Sequence, residues 1–296
     1  MFHGTITALV TPFSKGHIDE DAFCTHLDRQ IESGVNAVVP AGTTGEAATL
    51  SHDEHKRLIE ITVRHVAGRV PVIAGTGSNN TAESIELTQS AKSLGADAAL
   101  LISPYYNKPT QEGIYQHYKA VADAVHLPQI VYNVPGRTNS NILPETVGRL
   151  SKISNIVGIK DATADMDQLN ATIDACDGRI DFISGDDATV LPFMALGGAG
   201  VISVVANVVP AAMLRLTTAI AAGDWDEART AQMALRELNR VMFVQSNPIP
   251  VKAACAMLGW MQGDIRLPLT QLPEDLCATV HTALTAFGLQ PERTHP

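Results

Sequence analysis

The chain has 296 residues, a length that fits one large α/β barrel with an appendage or two ordinary domains. With 45% apolar and 18% charged residues it can build a sizeable core, which argues against wholesale disorder. The formal net charge of −10, with no offsetting basic stripe, argues against non-specific binding to nucleic acid or an anionic membrane.

Short β-branched runs recur at 5–10, 35–40, 70–74, 98–103, 129–133, 156–160, 182–184 and 201–205. Each is followed by a polar loop and then by helical periodicity, at about 19–33, 51–67, 81–94, 111–125, 144–151, 165–176, 187–196 and 208–222. Ser51 with Glu54, and Asn80 with Glu83, read as capping boxes at two helix starts. Gly34, Gly68, Gly95, Gly197 and Gly223 stand where left-handed C-caps would sit.

Eight strand-then-helix units in about 225 residues fit a (β/α)₈ TIM barrel. A doubly wound sheet is the competitor, but the count is eight and no dinucleotide fingerprint follows the first strand. After Gly223 the strand pattern stops, and 224–245, 250–258 and 273–287 read as three helices. The expected division is a catalytic barrel over 1–224 and a C-terminal helical region over 225–296, placed to cover the barrel or to make an oligomer contact.

Cys24, Cys176, Cys255 and Cys277 are scattered with no C-x-x-C pair, which suits buried free thiols in a reducing compartment. The first residues carry neither a basic nor an apolar signal region, and no apolar run reaches the ~18 residues of a membrane span. A soluble cytoplasmic protein is expected.

Barrel chemistry collects at the C-terminal strand ends. In Asn155-Ile156-Val157-Gly158-Ile159-Lys160-Asp161, period-two alternation puts Ile156, Gly158 and Lys160 on one face. A lysine ending an apolar strand is either a snorkelling side chain or a desolvated amine able to condense with a carbonyl. Tyr132 ends the fifth strand on the same face as Ile130, as a proton shuttle or a strand tyrosine with a satisfied hydroxyl. Ala41-Gly42-Thr43-Thr44-Gly45-Glu46 offers backbone N–H groups and hydroxyls to a carboxylate, or is a plain turn. Arg137 in Pro135-Gly136-Arg137-Thr138 can grip a second carboxylate or lie in solvent. Tyr105-Tyr106 follows strand four, where core packing is the plain explanation. His52-Asp53-Glu54-His55 fails the H-E-x-x-H spacing, and a metal site ranks last for it.

Four of these segments, in order and with matching spacing, resemble the dihydrodipicolinate synthase family of pyruvate-dependent class I aldolases, a superfamily that includes N-acetylneuraminate lyase. They are Gly42-Thr43-Thr44-Gly45-Glu46, Pro104-Tyr105-Tyr106-Asn107, Tyr132-Asn133-Val134-Pro135-Gly136-Arg137-Thr138 and Gly158-Ile159-Lys160-Asp161. The likeness extends from Gly4 to Lys252. The resemblance implies condensation of pyruvate with L-aspartate 4-semialdehyde in diaminopimelate and lysine biosynthesis, through an imine on Lys160. It also implies Tyr132, Thr43 and Tyr106 as a proton relay, with Tyr106 supplied by a neighbouring subunit of a homotetramer built as a dimer of dimers. Thr44 and Ile202 would hold the ketoacid, Gly185 would leave room at the imine, and Arg137 would bind the semialdehyde carboxylate. No cofactor and no metal is implied. By the same resemblance, L-lysine would inhibit at Ala48, His52, His55, Asn79, Glu83 and Tyr105, although Ala47 stands where inhibited members often have serine. Two rivals remain: a sialic acid or 2-keto-3-deoxy sugar acid lyase on the same scaffold, and a catalytically silent ketoacid-binding or lysine-binding barrel.

Overall fold

A computed structural model of the protein describes residues 1–292. Eight parallel strands form the barrel: β1 (Gly4–Ala8), β2 (Ala37–Val39), β3 (Ile73–Gly75), β4 (Ala98–Ile102), β5 (Gln129–Asn133), β6 (Ile156–Asp161), β7 (Asp181–Ser184) and β8 (Gly200–Ser203). Strands run in sequence order from β3 to β8, β8 pairs with β1, and β1 pairs with β2. The ring closes between β2 and β3 through a parallel Val38–Val72 bridge. This is a TIM barrel, as the eightfold repeat predicts.

Both faces of the strands are buried, so the runs read as continuously apolar. Ile6, Ala37, Val39, Ile73, Leu100, Ile130, Ile183 and Ile202 pack in one cluster inside the ring. Their neighbours Ala99, Leu101, Val131, Ile159 and Phe182 turn outward against helices. Small residues keep adjacent strands close: a Cβ on Gly200 would lie 2.2 Å from the Gly4 carbonyl oxygen.

The covering helices are α1 (Glu20–Glu32), α2 (His52–Val66), α3 (Thr81–Leu94), α4 (Gln111–Ala124), α5 (Pro144–Leu150), α6 (Met166–Cys176), α7 (Val190–Ala195) and α8 (Pro210–Ala221). On α2 the buried residues His55, Leu58, Ile59, Thr62 and Val66 recur at helical spacing, and both halves of the Ser51–Glu54 capping box form. The second expected box does not form. Asn80 accepts from Ala82 N, while Glu83 turns to Ser78 and His52 and so leaves the helix start.

Three helices follow: α9 (Trp225–Val241), α10 (Ile249–Met257) and α11 (Glu274–Ala286). Ala228, Leu235, Leu238 and Val241 of α9 share a core with Met213, Leu216 and Ile220 of α8, and this core also takes in Val251, Ala254 and Cys255 of α10.

Several boundaries shift for local reasons. Strand β2 stops before Pro40, which has no N–H to give the ladder, and Pro71 delays β3 to Ile73. The helix expected from 187 opens instead as a tight turn, Asp187–Thr189, because the Asp187 carboxylate binds Ser203, Val204 and Val205. A short hairpin pairing Phe13–Ser14 with His17–Ile18 was not legible in the strand pattern. No helix among the described residues is long and apolar enough to cross a membrane. All four cysteines are free, with Cys176 and Cys255 buried and Cys24 and Cys277 half-buried.

Candidate active site

Strands β5 and β6 place Tyr132 directly beside Lys160. The period-two reading of β6 holds for Gly158 and Lys160 but not for Ile156, which a register shift opposite Gln129 and Ile130 turns into the outward cluster. Lys160 points into the ring and is only 6% exposed. Its Nζ stands 4.2 Å from the centroid of the Tyr132 ring. Burial drives the Lys160 pKa down to about 7; the Asp187 charge opposes this and the Arg137 charge assists it. A shift of that size is roughly 5 kcal/mol against the ammonium form, and it leaves a usable fraction of free amine at neutral pH. Burial also pushes the Tyr132 phenol up to about 12, while Arg137 and the Thr43 side chain pull it back. The phenol thus keeps its proton and can donate it.

Asp187 supplies the buried negative charge nearest in effect to the amine. Its carboxylate accepts from Ser203 Oγ at 2.5 Å, Val204 N at 2.9 Å and Val205 N at 3.2 Å. Even so, burial raises its pKa to about 6. Gly185 lies two residues before it, where a Cβ would come within 2.8 Å of Ala162 Cβ and 3.0 Å of Lys160 Cε. Ile202, on β8, is buried in the same interior cluster as Tyr132.

The loop after β2 turns through left-handed residues at both ends, Ala41 (φ 54) and Glu46 (φ 56). Gly45 N and Ala47 N bond the Gly42 carbonyl, Glu46 N bonds that of Thr43, and Thr11 Oγ1 donates to Gly45 O. Thr44 is buried and its Oγ1 accepts from Asn247 Nδ2 at 3.0 Å. The exposed Arg137 lies on a single helical turn, Pro135–Thr138, and reaches the Asn247 carbonyl with Nη2 at 3.1 Å. Thr43, Thr44, Tyr132, Arg137, Lys160, Gly185 and Ile202 thus lie on the strands, or on the loops after them, at the C-terminal rim of the ring.

Tyr106 departs from this group. It takes a left-handed φ of 72 and leaves its side chain 88% exposed, away from the buried Lys160–Tyr132 pair. Tyr105 beside it is also exposed, and its carbonyl accepts from Asn79 Nδ2 at 3.1 Å. His52 Nε2 meets Glu83 Oε1 at 2.8 Å, and His55 Nε2 meets the Gly75 carbonyl at 2.7 Å. Burial lowers the His55 pKa. The hydrogen bond from Ser78, then that to His52, keeps the Glu83 pKa low. Ala48 is exposed on the neighbouring turn.

Several polar residues at this rim escaped the sequence reading: Asp187, Ser203, Asn247, Lys252 and Arg266. Lys252 carries a legible signal, since it is the lone charge in the apolar segment Ile249–Met257. Glu46, its partner at 2.5 Å, ends the glycine loop.

The dihydrodipicolinate synthetase family model matches residues 1–287. A 4-hydroxy-tetrahydrodipicolinate synthase of Citrifermentans bemidjiense is 55% identical over 289 residues, covering 98% of this chain and 100% of that protein. The chloride-inhibited dihydrodipicolinate synthase of Acinetobacter baumannii, solved in complex with pyruvate, is 48% identical with a TM-score of 0.96, covering 98% and 100% of the two chains. The lysine-bound DHDPS of Cyanidioschyzon merolae is 40% identical with a TM-score of 0.95, covering 98% and 99%. From the extent of the family match and these identities, the chain belongs to the dihydrodipicolinate synthetase family.

Proposed function

We propose that the protein is a 4-hydroxy-tetrahydrodipicolinate synthase, a lyase that condenses pyruvate with L-aspartate 4-semialdehyde through a Schiff base on Lys160. The observation that carries this reading is the buried Lys160 amine, brought to a pKa of about 7 beside Tyr132. The free amine adds to the pyruvate ketone, and the carbinolamine takes a proton from the Tyr132 side and loses water to give a protonated imine. Loss of a methyl proton then gives the enamine, whose carbon attacks the semialdehyde aldehyde. Tyr132, with Thr43 beside its hydroxyl, hands protons to and from these intermediates. Thr44 and the Ile202 backbone hold the ketoacid, the room at Gly185 admits it, and Arg137 meets the semialdehyde carboxylate. The barrel over 1–224 carries this chemistry, and the helices between Trp225 and Ala286 brace it.

An exposed phenol on a left-handed residue, as at Tyr106, fits a group donated to the centre of a neighbouring subunit, within a homotetramer formed as a dimer of dimers. L-lysine fits beside it as a feedback inhibitor at Ala48, His52, His55, Asn79, Glu83 and Tyr105, where the Glu83 carboxylate suits an ammonium group. Free cysteines and the absence of a membrane-crossing helix among the described residues support a cytoplasmic setting.

Relatives carrying the synthase name favour condensation over sugar-acid cleavage. A coupled assay of the purified protein tests this, with pyruvate plus the semialdehyde in one arm and N-acetylneuraminate in another. Turnover is expected in the first arm only, and cleavage without condensation would reverse the assignment. Saturating L-lysine is expected to slow the first arm at subsaturating pyruvate; an unchanged initial rate would remove the inhibitor site.

A further inference from the structure

The loop that carries Thr43 and Thr44 is clamped from the C-terminal helices. Glu46 closes it in a left-handed conformation, φ 56, and its fully buried carboxylate accepts from Lys252 Nζ at 2.5 Å. Lys252 lies on α10 and is itself buried, with Nζ 4.3 Å from the Phe13 ring centroid. The other Glu46 oxygen accepts from Arg266 N at 3.1 Å. Two residues earlier in the loop, Thr44 Oγ1 takes a hydrogen bond from Asn247 Nδ2, just ahead of the same helix. Three separate contacts thus run from one region of the chain to one five-residue turn, Gly42–Glu46.

A buried ion pair is a weak source of stability, because desolvation of both charges rivals their attraction. What it supplies without ambiguity is geometry. A carboxylate with one ammonium and one backbone N–H partner has few other places to go, and the turn is left-handed at the residue that bears it. We propose that Lys252 is a positioning residue for pyruvate capture, acting through Glu46 to fix the Thr43 and Thr44 donors at the mouth of the barrel. The inference rests on the function proposed above and deepens it. It assigns the C-terminal helices a part in binding the first substrate.

Two variants separate positioning from mere stability. Lys252→Met leaves the Glu46 carboxylate buried without its ammonium, and is expected to lower the thermal midpoint. The double variant Glu46→Gln with Lys252→Met removes both charges, which relieves the stranded carboxylate but leaves the turn without its ammonium clamp. For each, the measurements are the thermal midpoint, the KM of each substrate and the rate at which borohydride traps a pyruvate adduct on Lys160. Both variants are expected to raise the pyruvate KM and slow trapping by about tenfold, with the semialdehyde KM within about twofold of wild type. The double variant is expected to show this while regaining most of the lost thermal midpoint. Wild-type pyruvate KM and trapping rate in the double variant would overturn the inference, as would a defect shared equally by both substrates. Should Lys252→Met fail to fold, the double variant decides alone. A wild-type protein that traps no pyruvate on Lys160 would defeat the function and the inference together, and that arm is read independently of the variants.

Discussion

Lys160 and Tyr132 are cross-strand neighbours on β6 and β5, and the lysine nitrogen stands 4.2 Å from the centre of the tyrosine ring. The ring walls the amine off from water on one side, and the same burial acts on both groups in opposite electrical senses. It disfavours the ammonium and it disfavours the phenolate. The outcome is a nucleophile that is partly neutral and an acid that is fully protonated at the same pH.

The first consequence is a pH profile. Lys160 is protonated and unreactive below its pKa and free above it, so pyruvate capture should rise through about pH 7 and then level off. The nearby Asp187 charge holds that pKa up, and Asp187→Asn should therefore move the inflection to lower pH. Stopped-flow capture rates in both proteins check the sign; an inflection near the ordinary lysine value of 10.5 would contradict it.

Tyr132→Phe keeps the ring that covers Lys160 and removes only the hydroxyl, with its hydrogen bond to Thr43. Turnover should fall by about 10²–10⁴-fold, with little change in thermal midpoint. Steady-state assay together with a melting curve separates the two, and wild-type turnover would take Tyr132 out of the chemistry.

Gly185→Ala places a methyl group 2.8 Å from Ala162 Cβ, 3.0 Å from Lys160 Cε and 3.1 Å from the Asp161 carbonyl oxygen. Something must shift, and the flexible member of that set is the lysine. Overpacking of this kind costs about 1–3 kcal/mol in stability. The larger effect should be on pyruvate capture, seen as a slower rate of adduct formation; an unchanged rate would mean that the space is not used.

Arg137 is exposed and, among the described residues, bonds only the Asn247 carbonyl, so Arg137→Ala should leave stability within about 0.5 kcal/mol of wild type. Its loss should raise the semialdehyde KM while leaving pyruvate trapping unchanged. Separate titrations of the two substrates check this, and a defect confined to pyruvate would reassign the residue.

Much of the barrel was legible because its signals are local. Alternation placed Lys160 and Tyr132 inside, and eight strand–helix units implied a closed ring. The boundaries moved where prolines at 40 and 71 cut the ladders short. Partners distant in sequence were not legible. Nothing near Glu46 announces Lys252, 206 residues away, and nothing near Glu54 announces the Arg266 guanidinium that grips it. The Asn80–Glu83 box failed partly for the same reason: His52, 31 residues away, and the nearby Ser78 both draw Glu83 from its own helix start. Tyr106 shows the converse case. Its segment was recognisable, yet in the isolated chain its side chain stands in solvent, since the surface it fits belongs to another copy on the proposed reading.

The most direct test is borohydride reduction in the presence of pyruvate, followed by peptide mass mapping of wild type and Lys160→Ala. A reduced pyruvate adduct on the peptide that contains Lys160, absent from the variant, is the expected result. An unmodified Lys160, or an adduct that persists in Lys160→Ala, would contradict the proposal at its centre.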